Sequence, residues 1–206
     1  MKILDTIIAA HRAQALRPFQ SPALRPLKLV FNIERLRDRL DFSFVLSGRV
    51  PADIESLVVP DMREPLLRKR QDELWKSTCL EVFVASVERH SYLEMNLSPS
   101  GDWNLYAFDK YRAGMRPASD PHPPMLKMEP SASGDTLAWH GALRIQEFGG
   151  HANLEGELSE ILASPGLVIG ATAVLEYKSG EREYWALAHA GTQPDFHLRE
   201  SFRLPL

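Results

Sequence analysis

The sequence predicts an all-β protein, a single antiparallel β-sandwich accompanied by one or two short helices. Short runs of the chain alternate between apolar and polar residues with the period of two that is typical of half-buried strands. Turn-forming residues interrupt these runs often, since the chain contains 15 prolines and 12 glycines. The regular succession of strand and helix that a parallel α/β sheet requires is missing from this pattern.

Nine segments carry the strand pattern. In chain order they are residues 27–33, 40–46, 56–59, 79–84, 92–97, 103–108, 137–145, 167–176 and 183–188. The segments 92–97 and 103–108 flank a connection rich in serine, proline and glycine, which predicts a hairpin. A second hairpin is predicted around Gly180. Short helices are predicted over residues 2–15 and 153–162, the latter with Asn153 as its N-cap.

Length and composition bound the classes of function. The 206 residues have a mass of 23.3 kDa and fit one domain spanning residues 1–206. The formal net charge of −3 offers no basic field for a phosphate backbone, so nucleic acid is not expected as a partner. Cys79 is the single cysteine, which excludes an internal disulfide and cysteine-rich metal sites.

The predicted location is the cytoplasm, and no membrane association is expected. No apolar run reaches the 18 residues that suggest a membrane span. Asp5 interrupts the apolar stretch near the N-terminus, unlike the continuous apolar region of a secretory signal. A free cysteine without disulfides also fits a reducing compartment.

The strongest candidate for a binding site is one face of the predicted strands between residues 79 and 108. On neighbouring antiparallel strands Glu81, Glu94 and Asn96 would share a face, with Tyr106 and Phe108 beside them and cross-strand Cβ atoms about 5 Å apart. Trp75 and Trp103 lie nearby in sequence and would form stacking walls. Acids, an amide and aromatic rings together suit a polyhydroxylated ligand.

Other interpretations of this face stay open at this stage. It would be an ordinary solvated sheet surface if the aromatic rings pack elsewhere, or it would dock a partner protein. Glu81 and Glu94 would be the carboxylate pair of a glycoside-acting enzyme if they flank a cleft. A haem held by a histidine together with Met95 or Met115 is a further alternative, although packing explains Met95 equally well.

The C-terminal segment contributes two histidines and an acid. We expect His189, Asp195 and His197 to lie at the rim of the pocket or to fasten the C-terminal loop. Their spacing matches no standard metal site, so no metal is predicted.

Several of these segments, taken together, resemble the bacterial DOMON-like domain proteins. The similarity lies in the order and combination of the segments DELWKSTCLEVF (72–83), YLEMNLSPSGDW (92–103), YAF (106–108), YRAGM (111–115), YWAL (184–187) and PDFH (194–197). The resemblance implies a β-sandwich of the DOMON and family-nine carbohydrate-binding type, whose members bind haem or sugars in a pocket on one sheet.

The sequence therefore predicts a non-catalytic module that binds a small ligand, a carbohydrate or sugar derivative. The alternative is a haem-binding electron-transfer module, and a glycoside-acting enzyme is a third hypothesis. No cofactor is predicted unless haem binds.

Overall fold

A computed structural model of the chain describes residues 7–20, 23–36, 39–118, 125–144, 161, 164 and 166–206. Its main elements are antiparallel strands. They are β1 (Ala9–Pro18), β2 (Lys28–Arg35), β3 (Arg39–Ser47), β4 (Cys79–Ser86), β5 (Tyr92–Leu97), β6 (Trp103–Phe108), β7 (Arg116–Pro117), β8 (Met125–Pro130), β9 (Thr136–Arg144), β10 (Leu167–Glu176), β11 (Arg182–Ala186) and β12 (Leu204–Pro205). The helix α1 spans Pro51–Glu55, and 3₁₀ turns span Pro65–Leu67, Leu74–Lys76 and Arg199–Ser201.

The strands form one continuous sheet that curls into two layers. Its order is β7-β6-β5-β4-β10-β11-β1-β2-β3-β9-β8, and β12 pairs with β10. Strand β1 joins the layers, because its first part pairs with β2 whereas Arg17 and Pro18 pair with β11. The predicted antiparallel β-sandwich is confirmed.

The main hydrophobic core fills the space between the two layers. Alternate residues of β2 and β3, such as Phe31 and Phe44, point inward and meet Val82, Leu93 and Met95 from the other layer. All five are at most 1% exposed. Burial of these apolar side chains is the main favourable contribution to folding.

A second apolar cluster covers the outer face of the layer that contains β4 and β5. Phe83, Tyr92 and Phe108 project outward from the sheet and pack against Phe196 and Phe202 of the C-terminal segment. Gly170 permits this covering, because a Cβ atom there would lie 2.7 Å from a ring carbon of Phe202. The C-terminal segment thus lies over the outer face of the sheet and leaves part of that face accessible.

The structure corrects three of the predicted elements. The helix expected over residues 2–15 is wrong from Ala9 onward, where the chain forms β1, and residues 1–6 lie outside the described ranges. The strand expected over residues 56–59 is reduced to an isolated bridge between Leu57 and Tyr177. Apart from Ile161, the helix expected over residues 153–162 lies outside the described residues and stays a prediction.

Within the described residues no helix is long and apolar enough to cross a membrane.

Candidate functional site

The register of β4, β5 and β6 places the predicted polar residues on one face of the sheet. Glu81 lies opposite Asn96, and Glu94 lies opposite both Phe83 on β4 and Tyr106 on β6. The alternation in the sequence predicted this common face. It is the outer face of the layer, turned away from the main core.

A pocket of about 390 Å³ opens on this face. The sheet forms its floor, and the turn at residues 74–76, the turn at 109–115 and the C-terminal segment form its walls. It is lined by Trp75, Lys76, Glu81, Glu94, Phe108, Arg112, Met115, Val174, Arg182, Tyr184, Pro194, Phe196 and His197. The volume lies within the range of roughly 300–1,000 Å³ that is usual for small-molecule sites.

The floor of the pocket contains two buried carboxyl groups. Glu81 is 3% exposed and Glu94 is 5% exposed. The Thr172 hydroxyl donates to Glu81 Oε2 at 2.8 Å, and the Asn96 amide donates to Glu94 Oε1 at 2.7 Å. Burial raises the pKa of both carboxyls well above the ordinary value, and the nearby Glu94 raises that of Glu81 further. Each carboxyl is therefore protonated more readily than usual, and a protonated carboxyl can donate as well as accept a hydrogen bond.

His197 stands beside these carboxyls as a neutral ring. Burial, together with the charge of Arg112, lowers the pKa of His197 to about 4. The Tyr92 hydroxyl lies 2.8 Å from His197 Nδ1 and accepts the backbone N–H of Arg112 at 3.3 Å. With the Tyr92 hydroxyl as the donor to Nδ1, the neutral ring carries its proton on Nε2. That atom lies 3.8 Å from Glu94 Oε2.

A hydrogen-bonded network holds the Trp75 wall in place. Asp72 Oδ1 accepts from the Tyr106 hydroxyl at 2.7 Å and from the Asn104 amide at 2.8 Å. Glu73 then adopts a left-handed backbone with φ of 63° and starts the 3₁₀ turn that carries Trp75. The ring of Trp75 meets the ring of Tyr106 edge to face, with centroids 5.8 Å apart.

The opposite wall is fastened by Asp195. Its carboxylate accepts from Arg112 Nη2 at 2.9 Å and from the Tyr111 hydroxyl at 2.5 Å. The turn at 109–115 and the C-terminal segment are thereby joined beside the pocket. These two donors lower the pKa of Asp195 against the opposing effect of its partial burial, so the carboxylate remains ionised at neutral pH.

Of the nine predicted site residues, four line the pocket, three support the lining and two lie outside it. Four of them line the pocket, namely Trp75, Glu81, Glu94 and His197. Asn96, Tyr106 and Asp195 support lining residues through the hydrogen bonds or ring contact described above. His189 contacts the rings of Phe19 and Phe196 and lies with Nε2 2.8 Å from the Arg17 carbonyl, outside the lining.

The prediction that Trp103 is a stacking wall of the pocket is wrong. Trp103 lies opposite Leu97 on the inner face, in the core between the layers, and is 6% exposed. The guanidinium of Arg70 lies 4.9 Å from its ring centroid. The strand alternation itself explains the correction, because Trp103 is an odd number of residues from Tyr106 and therefore points to the other face.

Sequence reasoning missed several lining residues. Phe108 has the same parity as Tyr106 on β6, so the alternation correctly predicts it on this face, although it is not among the nine predicted site residues. Arg112, Tyr184 and Phe196 belong to segments that carried the family resemblance, but nothing local indicated that these segments meet. Arg182 and Val174 on β11 and β10 reach the pocket only because β10 pairs with β4.

Among the residues that the structure describes, no group of three or more histidine, cysteine, aspartate or glutamate side chains is arranged to hold a metal ion.

Comparisons with known proteins support the fold. No family model matches the chain, and no curated protein sequence matches it. A solved structure from Bacteroides uniformis ATCC 8492, provisionally assigned as a carbohydrate-binding protein, matches with a TM-score of 0.57 and 13% identity. The match covers 94% of this chain and 84% of that one. The two chains therefore share a fold.

Two further matches are weaker. They are family 9 carbohydrate-binding modules from Caldicellulosiruptor kristjanssonii, in complex with cellotriose and with glucose. Identities are 10% and 9%, and TM-scores are 0.44 and 0.42. The matches cover 85% and 87% of this chain, and 71% and 73% of those chains. None of the three matched structures is described as a DOMON protein, so that resemblance stays a prediction.

Proposed function

We propose that the protein binds a carbohydrate or sugar derivative in the pocket on its outer sheet face, without carrying out a reaction on it. One observation carries this proposal. Aromatic side chains, among them Trp75 and Tyr184, surround a floor of two buried carboxyls and a neutral imidazole.

The chemistry of this lining matches that of a sugar. A pyranose ring has apolar C–H faces that pack on aromatic rings, and hydroxyls at its edge that both donate and accept hydrogen bonds. Glu81 and Glu94 in their protonated forms offer both functions, and His197 Nε2–H offers a donor. The fold shared with the Bacteroides protein adds support at the level of fold analogy.

A thermal-shift screen of the full chain against neutral sugars, acidic sugars and sugar phosphates, followed by calorimetry, tests the proposal. Trp75→Ala should weaken binding of the best ligand roughly tenfold, about 1.4 kcal/mol, because it removes a stacking wall. Trp75→Phe should restore part of the affinity. Phe19→Ala is the matched control, since Phe19 contacts His189 outside the pocket.

Two results would contradict the proposal. No sugar in the panel binds, or Trp75→Ala and Phe19→Ala change the affinity to the same degree.

A glycoside-acting enzyme is a second candidate, favoured by one observation. Glu81 and Glu94 line the same pocket, and the pKa of each is raised, as expected of a general acid. A retaining or inverting mechanism also needs an ionised partner. Turnover of chromogenic glycosides that is lost in Glu81→Gln would support this candidate, and binding without turnover over a broad panel would contradict it.

A haem held by histidine and methionine on this pocket would require His197 to change its tautomer. Met95 lies between the sheets and is 1% exposed. Met115 and His197 both line the pocket, but the hydrogen bond from Tyr92 leaves the proton on His197 Nε2, the nitrogen nearer Glu94. Ligation through that atom would require the other tautomer, in which Nδ1–H donates to the Tyr92 oxygen. A Soret band that persists after haem addition and gel filtration would contradict this assignment.

A further inference from the structure

The mouth of the pocket is cationic, whereas its floor carries carboxyls. Lys76, Arg112 and Arg182 all line the pocket, with side chains that are 62%, 51% and 40% exposed. Glu81 and Glu94 are almost fully buried beneath them. The exposed charged side chains of the pocket lining are therefore positive.

Each of these cations has a carboxylate partner that lies outside the lining. Lys76 pairs with Glu73 at 2.7 Å, Arg112 pairs with Asp195 at 2.9 Å, and Arg182 pairs with Glu176 at 2.9 Å. These partners fix the positions of the cations and leave further N–H donors on each of them, since a guanidinium has five and an ammonium has three.

The floor adds little negative charge to oppose an anion. Two carboxyls on one buried face avoid ionising together, because desolvation and mutual repulsion both favour the protonated form. His197 is neutral as well. A ligand anion held at the rim would therefore face hydroxyl-like groups below it.

We propose, building on the proposed function above, that the ligand is an anionic sugar, whose carboxylate or phosphate binds at the cationic rim while its hydroxyls reach Glu81 and Glu94. Arg112 is the principal contact for the anion. Its backbone N–H binds the Tyr92 hydroxyl that contacts His197 Nδ1, and its charge acts on both floor carboxyls and on His197. Its planar guanidinium also matches a carboxylate or phosphate with paired donors.

The test is calorimetry on the full chain with matched ligands. Glucose is compared with glucuronate and glucose 6-phosphate, and galactose with galacturonate, at pH 6.5 and low salt. At least one anionic sugar should bind about tenfold or more tightly than its neutral counterpart. This preference should shrink as salt is raised, because the rim is exposed to solvent. Comparing glucuronate and galacturonate with glucose 6-phosphate distinguishes a carboxylated from a phosphorylated ligand.

Variants test whether the preference for the anionic sugar depends on the cations of the rim. Arg112→Met should reduce the preference for the anion to less than threefold, and Arg112→Lys should retain part of it. Arg182→Met reports on the same rim if Arg112→Met proves unstable in a melting curve. Arg12→Met is the matched control, because Arg12 pairs with Glu34 at 2.6 Å on the other layer and its loss changes the net charge equally.

The outcomes distinguish this inference from the proposed function. Neutral sugars that bind as tightly as their anionic counterparts would overturn the inference and leave sugar binding in place. An Arg112→Met variant that loses neutral and anionic sugars equally would also overturn it, because the residue would then only hold the wall. Absence of binding to any sugar would overturn both proposals.

Discussion

Replacing Trp103 with alanine should destabilise the protein and leave the chemistry of the pocket intact. Its ring is buried between the two layers, near Leu97 and the guanidinium of Arg70. The pocket lies on the opposite face of the same sheet. The variant thus tests which face of β6 contributes to the site.

The expected magnitude follows from the burial of the ring. Removing a buried tryptophan side chain costs about 3–5 kcal/mol, since the apolar contacts are lost and a cavity remains. Loss of the contact with Arg70 adds up to about 1 kcal/mol. For a chain of this length the melting temperature should fall by roughly 10 °C. Urea unfolding followed by circular dichroism measures the change, and Trp103→Phe should cost less than half as much.

The comparison with Trp75→Ala makes the test decisive. Trp75 is half-buried in the pocket wall, so its removal should cost less stability and more affinity. If Trp103→Ala costs below about 1 kcal/mol and abolishes ligand binding, the assignment of the faces is wrong and the site lies elsewhere.

Three further predictions concern the floor and walls of the pocket. The raised pKa of Glu81 means that the folded state holds this proton more tightly than the unfolded state, so the wild type loses stability as the pH rises from about 4.5 to about 8. Glu81→Gln lacks this titration, so the difference in unfolding free energy between the variant and the wild type should shift in favour of the variant over that range. Parallel pH profiles of the two proteins in urea unfolding would contradict this. Gly170→Ala should cost about 1–3 kcal/mol in urea unfolding through its clash with Phe202, and a cost near zero would show that the C-terminal segment is not seated there. Tyr106→Phe removes the bond to Asp72 and should cost about 1 kcal/mol of stability while weakening sugar binding severalfold in calorimetry; unchanged affinity would show that this bond does not position the wall.

The strand pattern was predictable because the period of two is a local property. The bounds of β5, β6 and β10 agree with the predicted segments, and the alternation correctly placed Glu81 and Asn96 on one face. In β1 the local signal was ambiguous. A bulge between His11 and Gln14, where Ala13 has φ of 53°, interrupts the alternation, and pairing with β2 decides the conformation instead.

The walls of the pocket were less predictable, because residues distant in sequence build them. Arg112 and Asp195 are 83 residues apart, and their ion pair joins two loops whose meeting depends on the path of the C-terminal segment. The floor required only neighbouring strands, whereas the walls required the tertiary fold. The error at Trp103 is of a different kind, because this ring is close to the acids in sequence but the parity of β6 turns it to the inner face.

The two faces of the layer containing β4 and β5 explain how one sheet both stabilises the fold and offers a site. Leu80, Val82 and Val84 point inward and build the core, while Glu81 and Phe83 between them point outward. A surface sheet would normally leave such carboxyls hydrated and ionised. Here the C-terminal segment and the turns cover the outer face, so the carboxyls lose water without gaining an ion-pair partner within hydrogen-bonding distance among the described residues. The resulting loss of stability as the pH rises is expected of buried groups that serve a ligand. A sugar that binds Glu81 and Glu94 in their protonated forms should therefore stabilise the fold less as these groups ionise.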